Sequence, residues 1–320
     1  MKFLITGGAG FIGSHLTDKL IGDGHEVTIF DNLTTGSKIN FEHNLNKSEF
    51  KFINESILDY ALISKSVENS DHVIHLAAAV GVFNIVNHPL DSLLLNIHGT
   101  ENVLKASLEA NKEVMLASTS EIYGKNSSEK LNENSDRILG SPLISRWSYA
   151  EAKAIDESLA FFFFKEKGLK VRIVRFFNTV GPRQIGDYGM VIPRFVEAAL
   201  RNEKIKVHGT GSQIRCFCHV YDAVDAVIKI ILNKSTIGQV YNVGNDQEIT
   251  ISELAKKVKE ISGSTSEIIN ISYDEAYGTG FEDMQKRVPD ITKIKNELNW
   301  LPQRKIDQII TDVVNFQRQN

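Results

Sequence analysis

The 320-residue chain has two cysteines, six prolines and no excess of positive charge, and each shortage removes a class of protein. Its 36 Lys and Arg stand against 40 Asp and Glu, for a formal net charge of -4. A nucleic-acid-binding face needs a basic surplus, so no nucleic-acid partner is expected. Two cysteines cannot build the disulfide framework of a small secreted domain, and a chain this long buries a core without one. Cys216 and Cys218 lie two residues apart, so in a strand both face one side. Such close neighbours bridge poorly, and no His-rich cluster beside them completes a metal site. They are read as free thiols, no metal is expected, and the expected compartment is the cytoplasm. No run approaches the roughly 18 uninterrupted apolar residues of a membrane span. Met1 to Ile5 is basic then apolar like the start of a secretory signal, but it stops at Thr6-Gly7-Gly8, too short for a signal core. With 42% apolar and 24% charged residues, the chain reads as a soluble globular protein.

What is present is an alternation of short apolar runs and amphipathic stretches. Strands are predicted at Lys2–Thr6, Glu26–Phe30, Phe50–Ile53, His72–Leu76, Glu113–Ala117 and Lys170–Arg175, with helices at Phe11–Gly22, Asn96–Asn111 and Tyr149–Lys167. This order gives an α/β chain with a doubly wound parallel sheet. After about Gly181 the pattern changes to helices at Ile192–Asn202, Val220–Leu232 and Ile251–Ile261, a run Ile205–His208 and a loop Tyr273–Asp290. The expected division is a dinucleotide-binding domain over 1–180, to which 215–245 returns, and a smaller mixed C-terminal substrate domain over 181–320. Four phenylalanines, Phe161–Phe164, surround the Tyr149 helix, which is expected to be buried on most sides, in the core or at a dimer interface.

Thr6-Gly7-Gly8-Ala9-Gly10-Phe11-Ile12-Gly13 follows the first strand and opens the first helix. Gly8, Gly10 and Gly13 satisfy G-x-G-x-x-G, and Gly7, Gly10 and Gly13 the related G-x-x-G-x-x-G. A tight turn, close approach of a pyrophosphate and helix–sheet packing each require a missing Cβ, and the free N–H groups of the helix face the phosphates. The second strand ends in Asp31, 18 residues after Gly13. A carboxylate there binds a ribose diol and repels a 2′-phosphate, and no Arg adjoins it, so the cofactor is expected to be NAD.

Tyr149 and Lys153 are four apart, on one helix face. Ser118-Thr119-Ser120 follows a predicted strand at its carboxyl end. With the glycines, with His75-Leu76-Ala77-Ala78, Asn96-Ile97-His98-Gly99-Thr100 and Arg175-Phe176-Phe177-Asn178, and with Gly181-Pro182-Arg183, these residues resemble the extended short-chain dehydrogenase/reductase family. The likeness is to its nucleotide-sugar epimerase, dehydratase and decarboxylase branch, and it covers essentially the whole chain. The resemblance implies a Rossmann-type fold, a dimer, and a cofactor set of Gly7, Gly10, Phe11, Ile12, Gly13, Asp31, Asn32, Leu76, Ala77, Ala78, Tyr149 and Lys153. Tyr149 is the implied base for a sugar hydroxyl and Thr119 bonds the same oxygen. Free Tyr titrates near pH 10, so work at neutrality needs a shift of about 3 units, which the Lys153 ammonium and the positive nicotinamide ring are expected to supply. Asn178, Arg215 and Arg287 match positions that hold the substrate pyrophosphate, and Lys206-Val207-His208, with Val207 at its centre, the uracil-stacking segment. His208 replaces the aromatic ring usual there. The alternative for Arg287 is a surface ion pair with Glu282 or Asp283.

Glu121 separates the branches. A 4-keto group acidifies C5–H and makes a C5 carboxylate a β-keto acid, so a carboxylate at this position serves C5 chemistry. A 4-epimerase needs none; the alternative is that Glu121 caps or packs near its loop. Arg146-Trp147-Ser148-Tyr149 and Gln285-Lys286-Arg287-Val288-Pro289-Asp290-Ile291 resemble UDP-glucuronate decarboxylases, whereas Met190 stands where those enzymes carry an Arg. UDP-glucuronate decarboxylation is therefore the leading expectation. A UDP-sugar 4-epimerase, a 4,6-dehydratase and, in another class, a non-catalytic NAD-binding regulator are the rivals.

Overall fold

The computed structural model describes residues 1–79, 89–144, 147–186, 190–277 and 284–319. The elements in the first part are β1 (Lys2–Thr6), α1 (Phe11–Gly22), β2 (Glu26–Phe30), β3 (Phe50–Ile53), α2 (Tyr60–Glu68), β4 (His72–His75), α3 (Pro89–Glu109), β5 (Glu113–Thr119), α4 (Ser148–Lys167) and β6 (Val171–Phe176). Then follow β7 (Thr179–Val180), α5 (Val191–Leu200), β8 (Ile205–His208), β9 (Ile214–Cys216), β10 (Cys218–His219), α6 (Val220–Leu232), β11 (Val240–Val243) and β12 (Glu248–Thr250). The chain ends with α7 (Ile251–Ser262), β13 (Ile268–Ile271), α8 (Tyr273–Tyr277), β14 (Lys286–Arg287), α9 (Thr292–Leu298) and α10 (Ile306–Gln319).

The central sheet has seven strands in the order β11-β6-β5-β4-β1-β2-β3, and every pair in it is parallel. Its strands are near-continuous apolar runs because both faces are covered. Phe3 and Ile5 of β1 enter one core with α1 and α6, while Leu4 between them enters the other with α2, α3 and α4. Met115 and its neighbours Val114 and Leu116 on β5 divide in the same way. The Rossmann-type, doubly wound sheet expected from the strand–helix alternation is thus present. A third core joins α5, α7 and α10 to β8 and Phe217, beside small sheets β12-β9-β14 and β13-β8. Strand β11, late in the chain, completes the central sheet beside β6.

Three expectations are refined by the structure. Within the single chain Phe163 and Phe164 pack on the core, whereas Phe161 is 41% and Phe162 54% exposed, so the core covers only part of this stretch of helix. Cys216 and Cys218 do not share one strand; Cys216 ends β9 and Cys218 opens β10, in different sheets. Both are buried and free. The loop expected over Tyr273–Asp290 contains the short helix α8 and strand β14.

Candidate active site

Parallel strands of an open sheet end on one edge, and ligands bind where the strand order reverses. Here β1 sits between β4 and β2, and the segments after β1, β2, β4, β5 and β6 line one cleft of about 850 Å³. The cleft runs from Gly7 and Asp31, past Thr119 and Tyr149, to Arg215, His208 and Arg287.

At one end the glycine turn is dictated by space. Gly7 has φ +73°, and a Cβ there would lie 2.7 Å from the Ala77 nitrogen; a Cβ on Gly13 would lie 2.3 Å from the Gly7 carbonyl oxygen. Only glycine permits the first conformation and the second packing. Gly10 precedes α1, so the free N–H groups of the first helical turn, which includes Phe11 and Ile12, open on the cleft. The Asp31 carboxylate is fixed by the Ala9 amide (3.0 Å) and the Leu33 amide (2.8 Å), and burial raises its pKa against those two bonds. Asn32, Leu76, Ala77 and Ala78 line the same end. The Ser118 hydroxyl on the cleft wall is buried without a partner among the described residues. A positive-φ turn no Cβ could share, an open helix N-terminus and a fixed acid at the end of β2 fit a dinucleotide.

At the centre, β5 ends on Thr119, whose hydroxyl accepts the Glu121 amide at 3.2 Å and so starts a 3-10 turn. That turn brings Glu121 beside Thr119. Tyr149 is on the first turn of α4, across the cleft. Burial pushes the Tyr149 phenol up, the charges of Glu121 and Asp156 add to this, and only the hydrogen bond with Thr119 opposes. The Lys153 ammonium donates instead to Asp156 at 2.9 Å, with both side chains buried. The expected lowering of Tyr149 by Lys153 therefore meets a lysine already ion-paired with Asp156. Behind this pair the His75 ring bridges Thr6 (2.7 Å) and Thr100 (3.1 Å), and burial pushes it down to about 3, so it is neutral.

At the far end Arg287 donates to Glu121 and, at 2.8 Å, to Asn178 Oδ1. Its side chain lines the cleft; Glu282 and Asp283, its alternative partners, and Arg146 lie outside the described residues. The Asn178 amide donates to the Cys216 carbonyl at 2.8 Å, and Arg215 bonds the Ile214 carbonyl at 3.0 Å. Val207 is buried in the third core, and its neighbour His208 faces the cleft instead. Arg194 donates to His208, whose pKa falls to about 4 through burial first and the Arg194 and Lys206 charges next. Arg194, Gln213, Tyr273 and Phe316 line this end and were not anticipated. They belong to four separate elements and loops without a motif, and only the fold collects them. Asp156 was missed as well, although its i,i+3 spacing from Lys153 was readable on one helix face. Met190, at the start of α5, also lines the cleft.

The glycine turn, the Thr119–Tyr149–Lys153 set and the two arginines define a class, the NAD-dependent nucleotide-sugar enzymes of the extended short-chain dehydrogenase/reductase type. Within it, the chain belongs to the family described as GDP-mannose 4,6 dehydratase, whose model matches residues 4–313. It is 39% identical over 319 residues to the UDP-N-acetyl-alpha-D-glucosaminuronate decarboxylase of Bacillus cytotoxicus, covering 99% of this chain and 98% of the relative. It is 36% identical to UDP-glucuronic acid decarboxylase 1 of Xenopus tropicalis, over 99% of this chain and 72% of the relative. The UDP-glucuronic acid 4-epimerase of Bacillus cereus, solved with UDP-glucuronic acid and NAD, superposes with a TM-score of 0.89 at 26% identity, covering 100% of this chain and 99% of that one. No helix among the described residues is long and apolar enough to cross a membrane.

Proposed function

We propose that this protein decarboxylates a UDP-linked uronate through a 4-keto sugar. The observation that carries the reading is the Glu121 carboxylate in the cleft, close enough to Tyr149 to raise its pKa and paired with Arg287. A carboxylate beside the sugar serves chemistry at C5, which a simple 4-epimerase does not need.

Gly7, Gly10, Gly13 and Asp31 would hold NAD, and the bound cofactor would supply an acceptor and donor of hydride for C4 of the sugar. Tyr149 accepts the C4 hydroxyl proton as the ketone forms, and Thr119 hydrogen-bonds the same oxygen. The C5 carboxylate is then β to a ketone, so carbon dioxide leaves with its bonding electrons passing to C5 and the C4 oxygen. Glu121 governs the proton that C5 takes up, and Tyr149 gives its proton back to the C4 oxygen. Asn178, Arg215 and Arg287 hold the diphosphate, two guanidinium forks being suited to its oxygens. The 1–180 region with 215–245 carries the cofactor, and the remainder of 181–320 carries the nucleotide sugar, its base near His208.

One observation favours 4-epimerisation: Met190 lines the cleft where the decarboxylases this chain resembles carry an Arg. Carbon dioxide release tests the choice. Incubation with UDP-glucuronate and, separately, UDP-N-acetylglucosaminuronate should liberate one carbon dioxide per pentose nucleotide; turnover to a C4 epimer without gas would contradict decarboxylation. Two buried thiols without a disulfide support a cytoplasmic setting. Exposed Phe161 and Phe162 on α4, with Leu90 and Leu94 on the adjoining α3, support a homodimer.

A further inference from the structure

Lys153 and Asp156 form a buried ion pair one helical turn inside the cleft wall, with side-chain exposures of 4% and 0%. A buried carboxylate is costly unless a charge and hydrogen bonds satisfy it, so its presence asks for a use. The ammonium it binds is the one the family resemblance gives to cofactor and base. The lysine is therefore held from below, on its own helix, before any ligand arrives. We propose that Asp156 is a positioning residue for C4 oxidation: it fixes the Lys153 ammonium and limits how much of that positive charge reaches the Tyr149 phenol.

The surroundings support a built arrangement. Asp156 faces Lys153 and Glu157 on α4, the Thr100 hydroxyl on α3, and Tyr149 one helical stretch earlier. Thr100 is in turn bonded by His75 of β4, which is neutral and is bonded on its other nitrogen by Thr6 of β1. Glu157 is occupied elsewhere, by Arg175 at 2.7 Å. Tyr149 is faced by Glu121 from the 3-10 turn, by Thr119 from β5 and by Asp156. Two carboxylates thus raise the phenol. Glu121 is engaged by Arg287 across the cleft, whereas Asp156 is sealed inside and acts whether or not substrate is bound.

The inference rests on Tyr149 being the C4 base, and the NAD-loaded enzyme tests it. Removing the buried negative charge in Asp156→Asn favours deprotonation of its neighbours, so the acid limb of kcat against pH should move down by about one unit. A limb that stays in place or moves up, in protein of normal melting temperature and NAD content, overturns the proposal. Should the folded variant not turn over, the near-ultraviolet tyrosinate titration, corrected with a Tyr149→Phe background, is read by the same criterion. Should Asp156→Asn not fold, Lys153→Met/Asp156→Asn decides. Recovery of folding in the double variant shows that the carboxylate serves Lys153; failure of both places its role with Thr100 and His75 and overturns the proposal. The tyrosinate readout does not depend on which product forms, so failure here is distinguishable from failure of the decarboxylase reading.

Discussion

Arg287 reaches across the cleft to Glu121, joining strand β14 of the C-terminal region to the turn that follows β5. The same guanidinium also holds Asn178, so one side chain links the residue proposed for C5 chemistry with one proposed for the diphosphate. Glu121→Gln keeps the size of the side chain and removes its charge. C4 oxidation should survive while protonation at C5, and with it formation of the pentose nucleotide, slows by about 100-fold or more, the lower range for a lost acid–base group. Reduced cofactor should then accumulate on the enzyme, seen by its absorbance. An unchanged product pattern would make Glu121 structural.

Tyr149→Phe should leave the cofactor bound and cut turnover by about 100- to 10,000-fold, the range for a general base. NAD content after purification and single-turnover reduction measure the two effects separately. Turnover near the wild-type rate would remove Tyr149 from the C4 step.

The glycine turn predicts a steric failure. In Gly13→Ala the new methyl would meet the Gly7 carbonyl oxygen at 2.3 Å and the Gly8 Cα at 2.7 Å, both backbone atoms that cannot step aside. The cost expected for such overpacking is about 1–3 kcal/mol, with loss of NAD. Thermal melting and cofactor content read it. A control, Gly22→Ala, meets nothing within 4 Å and should be tolerated.

Acid should destabilise the fold through its neutral histidines. Burial pushes His75 down to about 3 and His15 to about 4. Below about pH 6.5 the unfolded chain takes protons that the folded chain refuses. Stability is therefore complete above that pH and falls as pH drops towards the folded values. The melting temperature should decline across this window, and His75→Gln should flatten the decline while lowering stability at neutral pH.

The central sheet was legible because its signals are local. The expected bounds of β1, β2, β3, α1 and α6 coincide with the structure, since each apolar run ends at a glycine, an acid or a polar turn. Thr119, Tyr149 and the glycines came together because consecutive parallel strands deliver their carboxyl ends to one edge. The Glu121–Arg287 pair was not legible, because 166 residues separate partners that meet only after the C-terminal region folds back. Neither was the exposure of Phe161 and Phe162: four aromatics in a row describe a helix circumference, not which side its neighbours cover. For Tyr149, spacing located the helix face but not Asp156, whose charge alters what Lys153 can do there.

The most direct test is proton NMR of the purified enzyme with UDP-glucuronate in heavy water, without added NAD. A decarboxylase that recycles its hydride gives a pentose nucleotide with deuterium at C5, formed with cofactor that the enzyme already holds. A galacturonate nucleotide that keeps hydrogen at C5 would contradict decarboxylation and make the protein a 4-epimerase.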